Sequence, residues 1–153
     1  MKIIFLGTGT SHGVPVIGCG CPVCRSKNPK DKRLRPALFI ELESGGKLLI
    51  DTPPDLRQQC LERRVGRVDA VLFTHHHNDR ITGLDDLRRF NDMYDAAIPC
   101  LGPRQTLDEI RKKFRYIFIR TQTGGGKPKI ALRAVDKPFE LLGQRIVPLP
   151  VYH

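Results

Sequence analysis

Short apolar runs alternate with helix-patterned segments along most of the chain. Lys2 to Leu6 predicts a strand that ends in the loop Gly7-Thr8-Gly9-Thr10-Ser11-His12-Gly13-Val14-Pro15. Ala37 to Glu43 and Lys47 to Asp51 flank Ser44-Gly45-Gly46, the pattern of a β-hairpin. Pro54 opens a helix over Asp55 to Arg64, with Leu56 and Cys60 spaced for one face. Asp69 to Thr74 is a strand rich in apolar and β-branched residues, and it runs directly into three histidines. Gly83 to Met93 places Leu84, Leu87 and Phe90 at helical spacing, and Ala97 to Leu101 is a further strand. Pro103 to Phe114 is a helix whose basic last turn, Arg111-Lys112-Lys113, complements the helix dipole. Lys129 to Ala134, Pro138 to Leu142 and Arg145 to Leu149 are strands joined by turns. The polar, basic stretch from Gly18 to Pro36 reads as an ordered loop that needs its own clamp. Strands and helices alternate first and strands then dominate, which predicts a layered α/β domain.

Length agrees with that picture: 153 residues, against about 150 per domain, predict a single domain over 1–153. No apolar run approaches the roughly 20 residues of a membrane span. Met1 to Leu6 begins like a signal peptide, but Gly7 to Thr10 cut its apolar region short. A cytoplasmic protein without membrane association is the expectation. The charge, 26 basic minus 16 acidic residues or +10, favours anionic ligands such as phosphates or nucleic acid. Aromatics are only 7% and Trp is absent, so the charge by itself does not establish nucleic acid. Five cysteines, three of them within six positions, favour a reduced compartment and metal binding over a disulfide framework.

Two glycine-rich segments invite phosphate-binding readings and fail them. After Gly7-x-Gly9 the third glycine stands at position 13, and Pro15 and the cysteine loop replace the helix of a dinucleotide fold. A turn that brings backbone close to an active site is the better account. Thr123-Gly124-Gly125-Gly126-Lys127 lacks the first glycine of a phosphate loop and is followed by Pro128, so it reads as a flexible loop.

Cys19-x-Cys21-x-x-Cys24 is more specific. Thiolates at these spacings converge on one soft cation, usually Zn²⁺, within a metal-binding loop over 18–36. His12, Cys60 and Cys100 are candidates for a fourth ligand, and no spacing selects among them. The strongest signal is Thr74-His75-His76-His77-Asn78-Asp79-Arg80. Imidazoles at 75 and 77, leaving a strand, project to one side and can share a metal, while Asp79 can reach a second ion nearby. Two ions about 3.5–4 Å apart can activate water and stabilise both entering and leaving oxygens of a displacement. A lone histidine is more often structural, but three in succession followed by aspartate are not.

His75-x-His77-x-Asp79, with Asp51 closing the strand Leu48-Leu49-Ile50-Asp51-Thr52, resembles the metallo-β-lactamase superfamily. The segments Gly7 to Pro15, Gly18 to Cys24 and Gly83-Leu84-Asp85-Asp86-Leu87-Arg88 are similar to its phosphoribosyl 1,2-cyclic phosphate phosphodiesterase branch. The resemblance implies an αββα sandwich. It implies His75, His77 and His153 as ligands of a first catalytic metal, Zn²⁺ or Mn²⁺, and Asp79 as ligand of a second. It further implies Asp51 as an outer residue orienting the histidine loop, and a separate structural Zn²⁺ on Cys19, Cys21 and Cys24.

Two departures from the family pattern stand out. Arg80 occupies the place of the last histidine of His-x-His-x-Asp-His, which removes a ligand and adds a cation, so one catalytic ion rather than two is expected. The sequence also stops at His153, where the family continues into a second half, so this chain reads as the first half of the sandwich. Missing residues, or an assembly such as a homodimer, are then expected to cover the inner sheet face. The function implied is a metal-dependent phosphodiesterase on a small cyclic phosphodiester, by metal-hydroxide attack on phosphorus. A ribonuclease Z-like nuclease ranks second, helped by the basic charge but disfavoured by the cysteine knuckle and Thr52-Pro53-Pro54-Asp55-Leu56-Arg57. A metal-binding remnant without turnover is the non-enzymatic alternative.

Overall fold

The computed structural model describes residues 1–119 and 126–152. Six strands form one sheet in chain order: β1 (Lys2–Gly7), β2 (Ala37–Glu41), β3 (Lys47–Ile50), β4 (Ala70–Leu72), β5 (Ile98–Gly102) and β6 (Ile130–Ala134). The pairs β1–β2 and β2–β3 are antiparallel, and the next three pairs are parallel. The connections account for the switch. Ser44-Gly45-Gly46 reverses the chain between β2 and β3 with Gly45 at φ +86°, whereas parallel neighbours need a crossover, usually helical. A short α1 (Pro22–Arg25) lies in the cysteine loop. The crossovers are α2 (Leu56–Arg63) after β3, α3 (Asn78–Ile81) and α4 (Arg88–Tyr94) after β4, and α5 (Arg104–Lys113) with α6 (Arg115–Phe118) after β5. A separate hairpin, β7 (Phe139–Leu141) with β8 (Gln144–Ile146), follows β6.

Several elements differ from the sequence expectation: α1 forms inside the stretch read as a loop, and α6 follows the helix expected to end at Phe114. The helix predicted over Gly83 to Met93 divides into a 3-10 turn, Leu84–Leu87, and α4. Gly83 is wedged so tightly that a Cβ there would lie 2.0 Å from the Pro53 carbonyl oxygen, and the chain must turn before a regular helix begins. The last strand ends at Ile146 rather than Leu149, because Pro148 and Pro150 have no N–H for a ladder.

Alternation along the strands divides the sheet faces. Leu6, Phe39, Leu49, Val71 and Cys100 join Leu56, Leu87, Phe90, Leu107 and Ile110 in one core between sheet and helices. On the other face the register aligns Phe5, Leu38, Ile50, Leu72 and Leu101 in one apolar row. The β7–β8 turn meets the β2–β3 turn, where the Ser44 hydroxyl donates to the Leu142 carbonyl at 3.1 Å. Along the apolar row Phe5 at the β1 edge is 59% exposed, Leu38, Ile50 and Leu72 are half-buried, and Leu101 is fully buried. Among the described residues, no helix is long and apolar enough to cross a membrane. The carboxyl ends of β3, β4 and β5 lie side by side, the end of a parallel sheet where ligands bind.

Candidate metal centre

Asp51 follows β3 directly and is almost fully buried, with its backbone at φ +62°. That left-handed conformation is unusual for a non-glycine residue and least costly for Asp or Asn. It turns the carboxylate towards the end of β4. There Asp51 Oδ1 accepts the Thr74 backbone N–H at 2.8 Å, and Oδ2 accepts the Thr74 hydroxyl at 2.7 Å. Burial pushes the Asp51 carboxyl up to about 6, against the hydrogen bonds from Thr74 and the charge of Arg80, which hold it down. Above that pH the carboxylate is an acceptor only.

The Thr74 hydroxyl also lies 3.0 Å from His75 Nδ1. Its single hydrogen points to Asp51, so it accepts from an Nδ1–H. His75 is thereby set in the tautomer whose Nε2 carries the lone pair that a metal would use. The His75 and His77 rings stand edge to face with centroids 4.6 Å apart, as their i, i+2 spacing at a strand exit predicts. His77 caps α3, its carbonyl accepting the Arg80 N–H at 2.9 Å. Lys113 at the end of α5 holds the loop from outside, donating to the His76 carbonyl at 3.3 Å and to Asn78 Oδ1 at 2.9 Å. Thr74 and Lys113 were not singled out from the sequence. A hydroxyl between the strand and the first histidine was the available signal for Thr74; Lys113 stood out only as part of a basic helix end, not as a partner of the histidine loop.

The structure does not gather Asp79 with the two histidines into a ligand group. Arg80 Nε lies 3.3 Å from Asp79 Oδ2, and Arg80 Nη1 lies 3.7 Å from Asp51 Oδ2. The Nε contact is an ion pair without hydrogen-bond alignment, which leaves that buried N–H without a hydrogen-bond partner. The residues present therefore fit one cation at His75 and His77, while the neighbouring carboxylates face a guanidinium. His153, the expected third ligand, lies outside the described residues. Two cavities meet at Thr74 and Arg80. One, of about 370 Å³, is bordered by Gly7, Thr8, Gly9 and Asp51. The other, of about 670 Å³, is bordered by His75, Arg104 and Asp136.

Gly7 at the end of β1 and Gly9 beyond it serve close approach, but the backbone they approach belongs to the returning cysteine loop. A Cβ at Gly7 would sit 2.0 Å from the Arg35 carbonyl oxygen, and one at Gly9 would sit 2.5 Å from that of Arg33. The clamp on the loop is Arg35. Its backbone N–H and Nη1 bind the two Asp55 oxygens at 2.8 and 2.7 Å.

The ligand atoms of Cys19, Cys21 and Cys24 lie within 4.8 Å of one another; among the described residues this is the one such group of three metal-ligating side chains. Cys21 Sγ accepts the Cys24 N–H, and Cys24 Sγ accepts the Val16 N–H, each at 3.4 Å. The bond from Cys24, with the neighbouring Cys19 side chain, holds the Cys21 thiol below its ordinary value. Three converging thiols, two of them exposed, have the chemistry of a soft-metal site. His12, Cys60 and Cys100 do not join them: Cys100 is buried within the core and Cys60 packs against it. Burial pushes the Cys60 thiol up to about 12 and raises that of Cys100 as well.

A family model described as a beta-lactamase superfamily domain matches residues 47–153. An octanoyltransferase of Porphyromonas gingivalis is 41% identical over 155 residues, covering 100% of this chain and 31% of that protein. A coenzyme PQQ synthesis protein B of Rhodopseudomonas palustris is 34% identical over 154 residues, covering 93% of this chain and 47% of that protein. Among solved structures, a diphosphatase from the PhnP family superposes with TM-score 0.87 at 37% identity, over 99% of this chain and 57% of that one. Zn²⁺-bound PqqB from Methylobacterium extorquens superposes with TM-score 0.71 at 21% identity, over 92% of this chain and 48% of that one, a likeness of fold. The chain thus spans a third to a half of the length of these curated relatives.

Proposed function

Because this chain belongs to the beta-lactamase superfamily, we propose that it is a metal-dependent hydrolase of small phosphodiesters or diphosphates. The observation that carries the proposal is the Asp51–Thr74–His75 relay beside His77, at the carboxyl ends of parallel strands. His75 and His77 would hold a divalent cation, Zn²⁺ or Mn²⁺, and the cysteine knuckle would hold a structural Zn²⁺. A divalent cation in such a site supplies Lewis-acid polarisation of a phosphoryl oxygen and acidifies water. The chain's own contribution is orientation and charge. Thr74 fixes the His75 ring, and Asp51 anchors Thr74. Arg80 and Arg104 border the larger cavity, where guanidinium groups suit phosphate oxygens. Arg104 has no ion-pair partner among the described residues, which leaves its charge available to a substrate anion.

The diphosphatase neighbour supports a small phosphate substrate, since this chain superposes on 57% of that one at 37% identity. Octanoyl transfer draws less support: the protein so named is 41% identical over 100% of this chain, but the match covers only 31% of that protein. The test is turnover of bis(4-nitrophenyl) phosphate, a dinucleoside diphosphate and a precursor transfer RNA, with Zn²⁺ or Mn²⁺ and after chelation. Chelator-sensitive cleavage of the small substrates that is lost in His75→Ala is the expected result. Preferential cleavage of the RNA would favour a nuclease. Metal binding without turnover of any of the three would leave the remnant reading.

A further inference from the structure

We propose that Arg80 supplies, with its own side chain, the charge of a second metal ion, so that the histidine centre holds one divalent cation. The proposal rests on the reading that His75 and His77 bind metal, and it concerns what stands beside that ion.

A two-ion centre needs anionic oxygen donors close to the first site. Asp51, bonded to Thr74 just before the histidine loop, and Asp79 within it are two such carboxylates, and the Arg80 guanidinium faces both, at 3.7 and 3.3 Å. Its Nη1 also donates to the Pro36 carbonyl at 3.3 Å, which ties the group to the far wall of the smaller cavity. The backbone holds it equally firmly. The Arg80 N–H donates to His77, and the Arg80 carbonyl accepts the Thr52 N–H at 2.7 Å. Thr52 is fully buried, so this anchor has little room to shift. Arg80 itself is mostly buried, with 22% of its side chain exposed.

A guanidinium keeps its proton at any usable pH and has no lone pair for a metal. A divalent ion placed between the same carboxylates would meet twice the repulsion of a single charge, in a poorly solvated site. The buried Nε faces Asp79 without hydrogen-bond alignment, so its interaction with that carboxylate is one of charge. Its role is electrostatic: it neutralises part of the charge of Asp51 and Asp79 and keeps both from a second ion.

The experiment is metal content per chain, measured after saturation with Mn²⁺ and dialysis. It compares the parent, Arg80→Lys, Arg80→His and a His75→Ala/His77→Ala double variant, whose content is subtracted to remove the cysteine site. Circular dichroism checks that each is folded, and electron paramagnetic resonance distinguishes isolated from coupled Mn²⁺. The expected result is one isolated ion in the parent and in Arg80→Lys, and two coupled ions in Arg80→His. Two ions in the parent would overturn the proposal while leaving the metal centre standing. One ion in a folded Arg80→His would also overturn it, by showing that Arg80 is not what excludes the second. No ion in any variant would overturn both the proposal and the metal reading beneath it.

Discussion

Thr74 donates twice to Asp51, through its backbone N–H to Oδ1 and its hydroxyl to Oδ2, across 23 positions of sequence. The pair ties the end of β4 to the end of β3, and the same hydroxyl sets the ring of the first histidine. Thr74→Val keeps the shape and removes the hydroxyl, leaving a buried carboxylate oxygen short of a donor. The expected cost is about 1–3 kcal/mol of stability. Metal affinity should fall by roughly 10–100-fold, as for other outer partners of ligand histidines. Thr74→Ser should restore most of both. Denaturant melts and calorimetric metal titration check this, and a Val variant that binds as tightly as the parent would show the relay to be idle.

Gly7 and Gly66 make a controlled comparison. A Cβ on Gly7 meets two carbonyl oxygens within 2.6 Å, whereas one on Gly66 meets nothing within 4 Å. Gly7→Ala must move backbone in β1 or in the returning loop, at a cost of about 1–3 kcal/mol or more. Gly66→Ala should be neutral or stabilising by about 0.4–1 kcal/mol, because it restricts the unfolded chain. Thermal melts should place Gly7→Ala below the parent and Gly66→Ala at or above it.

The strands and the ligand loop were legible because each rests on local pattern. Ala37 to Ile50 shows its hairpin through a glycine turn between apolar runs, and the cysteine knuckle lies within six positions. What escaped was contact between distant segments. Arg35 with Asp55, or Lys113 with Asn78, joins positions 20 and 35 apart that no periodicity connects. Arg80 is the intermediate case. Its departure from the family pattern was visible, but its lodging between Asp51 and Asp79 depends on a crossover that brings the ends of β3 and β4 together.

The five cysteines should react in two classes. In metal-free protein, iodoacetamide should modify the exposed Cys19 and Cys21 most readily and the half-buried Cys24 next. Cys60 and Cys100 should resist until unfolding, since burial disfavours their thiolates. Zn²⁺ should protect the first class without affecting the second, and Cys21→Ser should contain one zinc fewer per chain. Mass spectrometry of the alkylated peptides gives the order, and zinc-independent labelling at all three knuckle positions would remove the metal site.

The clamp between Arg35 and Asp55 should control the cysteine loop from a distance. Both side chains are mostly buried, 28% and 17% exposed, so their attraction is screened less than that of a surface pair. Asp55 also accepts the Arg35 backbone N–H, and Arg35 Nε reaches the Ser11 carbonyl at 2.9 Å. One carboxylate therefore fixes the point where the cysteine loop rejoins the sheet, next to Gly7 and Gly9. Asp55→Ala leaves a partly buried guanidinium and an amide unpaired, at an expected cost of about 1–3 kcal/mol. The loss should be local before it is global. Amides whose bonds join the loop to the glycine turn, Gly9 to Leu34 and Val14 to Arg33, should exchange with deuterium faster. Those of β3 and β4 should stay protected. A loosened loop must also spend more entropy to bring three thiols together, so zinc affinity at the knuckle should fall although no cysteine has changed. Hydrogen exchange and a competitive zinc titration on Asp55→Ala check both parts. Unchanged exchange at Gly9 and Val14 would show that the loop is held by its glycine contacts alone.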